Sequence, residues 1–281
     1  MLGILKISHF MSLRKNTIPI IYKSLLVAAL LLFLKEFVLS FPYNGIIFNA
    51  LIEISDISIV FTGAFFVVGL LLAATMTDFK ESEKIPGEIA ANIEAIKDWI
   101  FLALRAPRTG NNELSKDPLN IQFLRNEIIE VTEGVIFWIN SQEKDSKAIF
   151  PMLRRLNEIA YYFVERGVDK EAVKGVQENT NALRKQLTRA YSISRNNFIS
   201  PAYTLLKSII SIVFILLLLT KFKTVTADYL VTLSVSFIFT YLYFLIVGLD
   251  DPFNISRGDT EVDLKPINRL KTRIENDFLN S

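Results

Sequence analysis

The protein has 281 residues, of which 51% are hydrophobic and 21% are charged, with a formal net charge of +2 and a mean hydropathy of +0.35. The lack of Cys in the sequence excludes disulfides and thiolate metal sites, and the single histidine, His9, excludes most imidazole chemistry. So small a net charge gives no reason to expect a nucleic-acid partner.

The charges are separated from the apolar runs along the chain. Every long uncharged run lies within residues 18–77 or 201–248, whereas 18 of the 31 Lys and Arg residues lie between 78 and 200. This pattern is typical of a membrane protein with a soluble helical insert. We predict five segments: an N-terminal interfacial segment (1–17), transmembrane helices 1 and 2 (18–77), a cytoplasmic helical domain (78–200), transmembrane helices 3 and 4 (201–248) and a cytoplasmic tail (249–281).

The N-terminal segment and the first span are the first parts of the chain that we expect to contact the membrane. Residues 1–17 mix apolar residues with Lys6, Arg14 and Lys15, which indicates a short amphipathic segment on the membrane surface or, alternatively, an unstructured terminus. The first span, Ile18–Ser40, is followed by Phe41-Pro42-Tyr43 where a signal peptide would have small residues before its cleavage site. We therefore expect this span to be retained.

The second span, Ile57–Thr77, is free of charge and long enough to cross a bilayer, at roughly 31 Å of helix. Its surface alternates bulky residues with small and hydroxyl-bearing ones, which a helix facing only lipid does not need. Spacings of four and three place one set of residues on a single stripe: Thr62, Phe66, Leu70, Ala73 and Thr77. This stripe either lines a pore formed by several copies or packs against other helices of the same chain.

Helical periodicity dominates residues 78–200. A helix is predicted after Pro86, because Ile89, Ile93, Ile96, Ile100 and Leu104 recur at spacings of three and four. The segment 107–119, rich in Pro, Gly and Asn, indicates an exposed loop. Further helices are expected near 120–141, 145–166 and 168–199, which makes the whole fold all-α.

Span 3 is predicted to begin at Pro201, and span 4 is predicted over Tyr229–Gly248. A short turn at 221–228 joins them. The loop 41–56 contains no Lys or Arg, whereas the N-terminus and the region after Thr77 are rich in basic residues. The positive-inside rule therefore puts both termini and the helical domain in the cytoplasm, although Lys221 and Lys223 in the short turn oppose it.

No residues for catalysis stand out, so we predict that the protein is not an enzyme. Membrane-embedded enzymes and pumps use ionisable groups at bilayer depth. The charged residues nearest to the spans lie within about two turns of the span ends, from where we expect them to snorkel to the interface: Lys23, Lys35, Glu36 and Lys207.

Two carboxylates follow the fourth span directly. Asp250 and Asp251 come just after its last turn, where the helix dipole already places partial negative charge. We expect something to balance them. A cation, a basic residue from the N-terminal segment and water all remain open.

Two stretches resemble the bestrophins and the broader bestrophin-like membrane family. Residues 69–96, GLLLAATMTDFKESEKIPGEIAANIEAI, form a span that continues into a helix rich in charges, and residues 250–253 read DDPF. The order of spans, helical domain, spans and tail is similar over nearly the whole chain. The Arg-Trp cluster of bestrophins is replaced by Asp78-Phe79-Lys80-Glu81, which favours the looser, less characterised branch.

The resemblance implies a pentameric, mostly chloride-selective channel with a pore lined by the second span. The family's narrow neck carries apolar residues spaced by four around a glycine, here Gly69, so Thr62 departs from the pattern. The implied residues are Thr62, Phe66 and Leu70 in the neck, and Gly69, Ala73, Thr77 and Glu81 along the lining or inner mouth. Glu81 and the neighbouring acidic residues would favour cations, so selectivity remains open.

The resemblance also implies a calcium clasp near the Pro-Phe element. The candidates for a bound cation in this chain are Asp250, Asp251 and Asp259, with Arg257 among them. The acidic run is sparser than the one that the family uses.

The sequence thus predicts a homo-oligomeric, pentameric channel for small inorganic ions in a lipid bilayer, with cytoplasmic termini and a prokaryotic inner membrane as the expected location. An oligomeric membrane-anchored signalling or scaffold protein, whose helical domain binds a partner, is the alternative.

Overall fold

The computed structural model describes residues 17–40, 52–105, 118–141, 144–195, 200–253 and 262–279. Within these ranges the chain forms two compact units. The spanning unit contains the described residues up to 79 and 200–252. The helical unit contains 80–195 as far as described, residue 253 and 262–279. The predicted segment 1–17, apart from Thr17, and most of the predicted loop 107–119 lie outside the described residues.

The spanning unit is built from helices α1 (Thr17–Ser40), α2 (Ile54–Ser82), α7 (Ser200–Leu219) and α8 (Val225–Leu249). These give four helices that are long and apolar enough to cross a membrane, which confirms the prediction of four spans. α8 begins inside the predicted turn 221–228, because Thr224 caps it by accepting a hydrogen bond from the Ala227 amide at 3.2 Å.

Small side chains bring the first and last spans together. α1 packs along α8, with Ser24 and Ala28 of α1 both fully buried. Side chains of this size let helix backbones approach closely in lipid, where no hydrophobic force drives the helices together. Elsewhere in the unit, Ala64 and Val68 of α2 pack in one cluster with residues of α7 and α8, including Phe239.

A two-residue parallel pairing joins the segments before α2 and after α7. Strand β1 (Ile52–Glu53) pairs with β2 (Thr220–Lys221), with Glu53 opposite Lys221. The fold is otherwise helical over the described residues, as the sequence predicts.

The helical unit contains α3 (Ile85–Arg105), α4 (Ile121–Asn140), a short 3₁₀ turn (Ser146–Ala148), α5 (Ile149–Glu165) and α6 (Lys170–Arg195). The predicted stripe of α3 forms its core, because Ile89, Ile93, Ile96 and Ile100 are all fully buried. α3 packs against α6 so closely that a Cβ on Gly175 would lie 2.1 Å from the Trp99 ring. Only glycine fits at that position.

The segment after span 4 is also part of the helical unit. Helices α9 (Lys265–Asn268) and α10 (Leu270–Leu279) pack on α3 and α4, in a segment that was predicted only as a tail. The Phe101 and Phe278 rings lie 4.7 Å apart between centroids. Lys97 of α3 pairs with Asp277. Burial lowers the pKa of Lys97, but the hydrogen bond to Asp277 and the charges of Asp98 and Asp277 outweigh it and raise the pKa above 10.5.

Candidate functional site

The two sides of α2 have different surroundings. Ala64, Val68 and Thr75 are buried. On the other side, Phe66 is 66% exposed and Leu70 is 55% exposed. The remaining members of the predicted stripe are exposed as well, so no helix of the described chain covers it: Thr62, Gly69, Ala73 and Thr77.

Glycines leave open space beside α2. A Cβ added to Gly63 or to Gly69 would meet no heavy atom within 4 Å. Next to Gly63, α2 and α7 enclose a shallow apolar groove of about 160 Å³, lined by residues that include Val60, Val67, Ile209 and Ile212. Glycines on a helix surface allow a neighbouring helix in a membrane to approach closely.

The threonines of α2 turn their hydroxyl groups toward their own helix. The Thr62 hydroxyl donates to the Ser58 carbonyl oxygen at 2.9 Å, and the Thr77 hydroxyl donates to that of Ala73 at 3.0 Å. A hydroxyl that donates along its own helix has no proton left for a passing anion. Because its hydroxyl proton is used within the helix, Thr62 resembles an apolar neck residue more closely than a threonine with a free hydroxyl would.

Glu81, predicted at the inner mouth, is paired. Its carboxylate accepts a hydrogen bond from the Arg189 guanidinium of α6, and both side chains are partly exposed. The pairing offsets the negative charge that would otherwise favour cations at this position. Asp78 also has an interaction partner.

The carboxylates after α8 are engaged within the chain. The Tyr203 hydroxyl of α7 donates to Asp250 Oδ2 at 2.6 Å, and Asp251 has interactions of its own. Nothing in the sequence pointed to Tyr203 as this partner, because it lies 47 residues before Asp250. Asp259 lies outside the described residues. Among the residues that the structure describes, no three His, Asp or Glu side chains are grouped to hold a metal ion.

A buried ion pair lies between α1 and α8. The Lys35 ammonium donates to Asp228 Oδ1 and, at 3.1 Å, to the Thr232 hydroxyl, and it lies 4.9 Å from the Phe222 ring centroid. Lys35 is 2% exposed. The expectation that Lys35 snorkels to the interface is therefore wrong, because three partners hold its charge inside the helix pair.

The other charged residues near the span ends are exposed. The Lys23 ammonium lies 5.9 Å from the Phe244 ring centroid, Glu36 hydrogen-bonds Tyr229, and Lys207 is exposed at the start of α7. The sequence contains only a weak indication that Lys35 and Asp228 form a pair. Lys35 and Asp228 are opposite charges near the ends of two spans that run in opposite directions.

Comparisons with known proteins connect this arrangement to solved structures. No protein-family profile matches the chain, and no curated protein matches its sequence. A variant of a bacterial bestrophin homologue from Klebsiella pneumoniae superimposes with a TM-score of 0.62 at 14% identity, covering 94% of this chain and 97% of that one. A second variant gives 0.60 at 16% identity, covering 95% and 98%. A structure described as a membrane protein gives 0.63 at 12% identity, covering 94% and 97%.

Identities this low establish the fold alone. The likeness nevertheless extends over nearly the full length of both chains, and this chain has four apolar helices long enough to span a membrane. The protein is therefore an integral membrane protein with a bestrophin-like fold.

Proposed function

We propose that the protein is a homopentameric channel for small ions, with a pore lined by the exposed face of α2. One observation carries the proposal: the stripe from Thr62 to Thr77 is the side of α2 that the described helices of the chain leave uncovered. A single chain with four spans has no pore of its own, so several copies must surround an axis. The Klebsiella bestrophin homologues, whose fold is the same, make this the favoured arrangement.

The composition of the exposed face supports a role other than lipid contact. On α1 most of the exposed residues between Lys23 and Glu36 are large and apolar, for example Leu26, Leu30 and Phe33. On α2 large side chains alternate with glycine, alanine and threonine, as close contact with neighbouring copies requires. The groove beside Gly63 offers such a neighbour a place to pack.

Within this pore, Thr62, Phe66 and Leu70 form the neck. Rings of phenylalanine and leucine close a narrow pore by excluding water, which requires no charged gate. The inward hydrogen bond of Thr62 is compatible with a dry ring at that position. Gly69, Ala73 and Thr77 line the wider part of the pore, and Glu81 lies at its inner mouth.

Anions such as chloride are the favoured permeant ions. The likeness in fold suggests this preference, and the pairing of Glu81 with Arg189 removes one feature that opposes it. By the distribution of Lys and Arg, the helical unit and both termini face the cytoplasm, in a prokaryotic inner membrane. Calcium is not required by this proposal, because Asp250 already accepts the Tyr203 hydroxyl.

Ion flux from sealed liposomes tests the pore assignment. Phe66→Ala and Leu70→Ala should each raise the flux several-fold, because a smaller side chain in the neck lets water enter. Leu30→Ala is the matched control. Leu30 is 52% exposed, like Leu70 at 55%, but lies on α1, so its truncation should leave the flux unchanged.

Oligomer mass in detergent completes this test. A pentamer is expected, and a monomer or dimer contradicts a central pore. If liposomes that contain a confirmed oligomer stay sealed to ions, the channel proposal is wrong.

A membrane-anchored scaffold is the second candidate. It is favoured by the surface of the helical unit, where Tyr161 and Val164 of α5 are exposed beside a groove of about 500 Å³ that also includes Gln177 of α6. A partner helix could occupy such a groove. Sealed liposomes together with partner binding that Tyr161→Ala weakens would favour this function over the channel.

A further inference from the structure

One lysine of α1 has no charged partner in the described chain. Lys23 is exposed, and its ammonium lies 5.9 Å from the ring centroid of Phe244 in α8. Among the residues that the structure describes, no carboxylate forms an ion pair with it. The other two charged residues of α1 have polar partners within the spanning unit, since Lys35 is in the buried ion pair and Glu36 is hydrogen-bonded to a tyrosine. Lys23 is therefore the charge of α1 that still needs a counterion.

The surface of α1 next to Lys23 is apolar. Spacings of three and four place Lys23 on one stripe with four large side chains, all of them exposed: Leu26, Leu30, Phe33 and Phe37. From Lys23 to Phe33 the helix rises about 15 Å, which is half the thickness of the hydrocarbon core of a bilayer. Because α1 spans the membrane, acyl chains are the surroundings that suit this stripe.

Lys23 lies near one end of the spanning unit. Phe244, whose ring is beside its ammonium, precedes Leu249 at the end of α8 by five residues, or about 8 Å of helix. Asp228, near the start of α8, precedes Phe244 by sixteen residues, or about 24 Å. With a hydrocarbon core about 30 Å thick, the ammonium is close to the boundary between acyl chains and headgroups. This boundary is on the other side of the membrane from the buried ion pair.

Lipid phosphate is the anion that this boundary supplies. A lysine in the apolar layer avoids the cost of its charge by extending its long side chain toward the headgroups. There the ammonium can donate up to three hydrogen bonds to phosphate oxygens. The Phe244 ring attracts the same ammonium and so favours one place for it, beside α8.

We propose that Lys23 binds the phosphate of an anionic phospholipid in the leaflet at the N-terminal end of α1. The acyl chains of this lipid lie along Leu26, Leu30 and Phe33, so the charged and the apolar parts of the site match those of the lipid. Phosphatidylglycerol is preferred to phosphatidylcholine, because the choline group competes with Lys23 for the phosphate and leaves the lipid without net charge. This inference requires only that the protein spans a membrane, and not that it conducts ions.

Native mass spectrometry of the full-length protein in detergent, with equimolar phosphatidylglycerol and phosphatidylcholine, tests the site. The wild type should retain phosphatidylglycerol several-fold more often than phosphatidylcholine. Lys23→Gln, a change at an exposed side chain, should lose most of this preference, whereas Lys23→Arg should keep it. Lys170→Gln is the matched control, because it removes an exposed lysine of the helical unit and should leave the preference unchanged.

Thermal unfolding of the wild type gives a second readout that depends on no variant. Phosphatidylglycerol should raise the unfolding temperature by a few degrees more than phosphatidylcholine does, because it binds the folded state more tightly. Inorganic phosphate at the same concentration should have no such effect.

Equal effects of the two lipids on the wild type overturn the proposal, and so does a Lys23→Gln protein that keeps the preference for phosphatidylglycerol. An equal stabilisation by inorganic phosphate also overturns it, because the site would then take a free anion. If Lys170→Gln loses as much preference as Lys23→Gln, the lipid responds to overall charge and there is no site at Lys23. Ion flux is not part of either readout, so liposomes that stay sealed refute the channel and leave this result intact.

Discussion

The two units of the molecule differ in how many polar side chains they bury. The core of the helical unit is apolar, with Ile93, Ile96 and Phe163 fully buried. In the spanning unit large apolar residues such as Phe33 lie on the outside. The residues buried there include a lysine and several hydroxyl-bearing side chains: Ser24, Lys35, Thr75, Thr220, Thr232, Ser236 and Thr240.

The difference follows from the two solvents. In water, the helices of one unit associate because burial removes apolar surface from water, at about 25 cal/mol per Å². In lipid that driving force is absent between helices, so close packing of small residues and polar contacts hold them together. Substitutions of the same type should therefore have different consequences in the two units.

The largest effect is expected from breaking the buried ion pair. Asp228→Asn leaves the Lys35 charge without its counterion inside the helix pair, and removing one partner of a buried pair typically costs about 3–5 kcal/mol. We expect a marked loss of monodisperse protein extracted from the membrane. The double variant Lys35→Met with Asp228→Leu should recover most of it. If the single variant is as stable as the wild type, polar contacts do not stabilise this unit.

The second largest expected effect is the difference in stability loss when an apolar side chain is truncated in one unit or in the other. Ile96→Ala removes a fully buried side chain and should destabilise the helical unit by about 2–5 kcal/mol. Leu26→Ala on α1, where the side chain is exposed, should be close to neutral in the membrane because lipid fills the space. Thermal unfolding of each full-length variant, monitored by the loss of helix, compares the two. Equal losses would contradict the difference between the units.

The smallest effect concerns the ion pair that holds α10. The pKa of Lys97 is raised above 10.5 in the folded protein. Its contribution to stability is therefore fully present below the pKa of the unfolded chain, and it is lost as pH rises through the folded pKa. Asp277 is partly exposed, so Lys97→Met should cost no more than about 1 kcal/mol near neutral pH. The difference in unfolding temperature between variant and wild type should shrink above pH 10.5. A difference that persists there would assign the loss to packing of the lysine stem.

Much of the fold could be predicted because its signals are local. Long uncharged runs give the four spans, and the recurrence of Ile89, Ile93, Ile96 and Ile100 gives the core of the helical unit. Helix α10 was missed although Leu270, Ile274 and Phe278 recur every four residues. Ten residues with several charges do not separate a docked helix from a solvated tail.

The pairing of the charged residues could not be predicted from nearby sequence, because the partners lie far apart along the chain. Lys23 and Lys35 lie at opposite ends of the same span, and both fit the pattern of a snorkelling lysine. Only the position of Asp228, in a helix far along the chain, distinguishes Lys35. For α2 the sequence identifies the stripe through Phe66 and Leu70, but which side the other helices cover depends on how they pack. The pore role of these residues remains a prediction.

The buried ion pair also has a consequence for the time course of synthesis. Lys35 and Asp228 are 193 residues apart. At about 5–20 residues per second, α1 leaves the ribosome roughly 10–40 s before its partner helix. Throughout that interval Asp228 is not available as the counterion of Lys35. The ion pair between Lys35 and Asp228 therefore forms late, only after the last span has been synthesised.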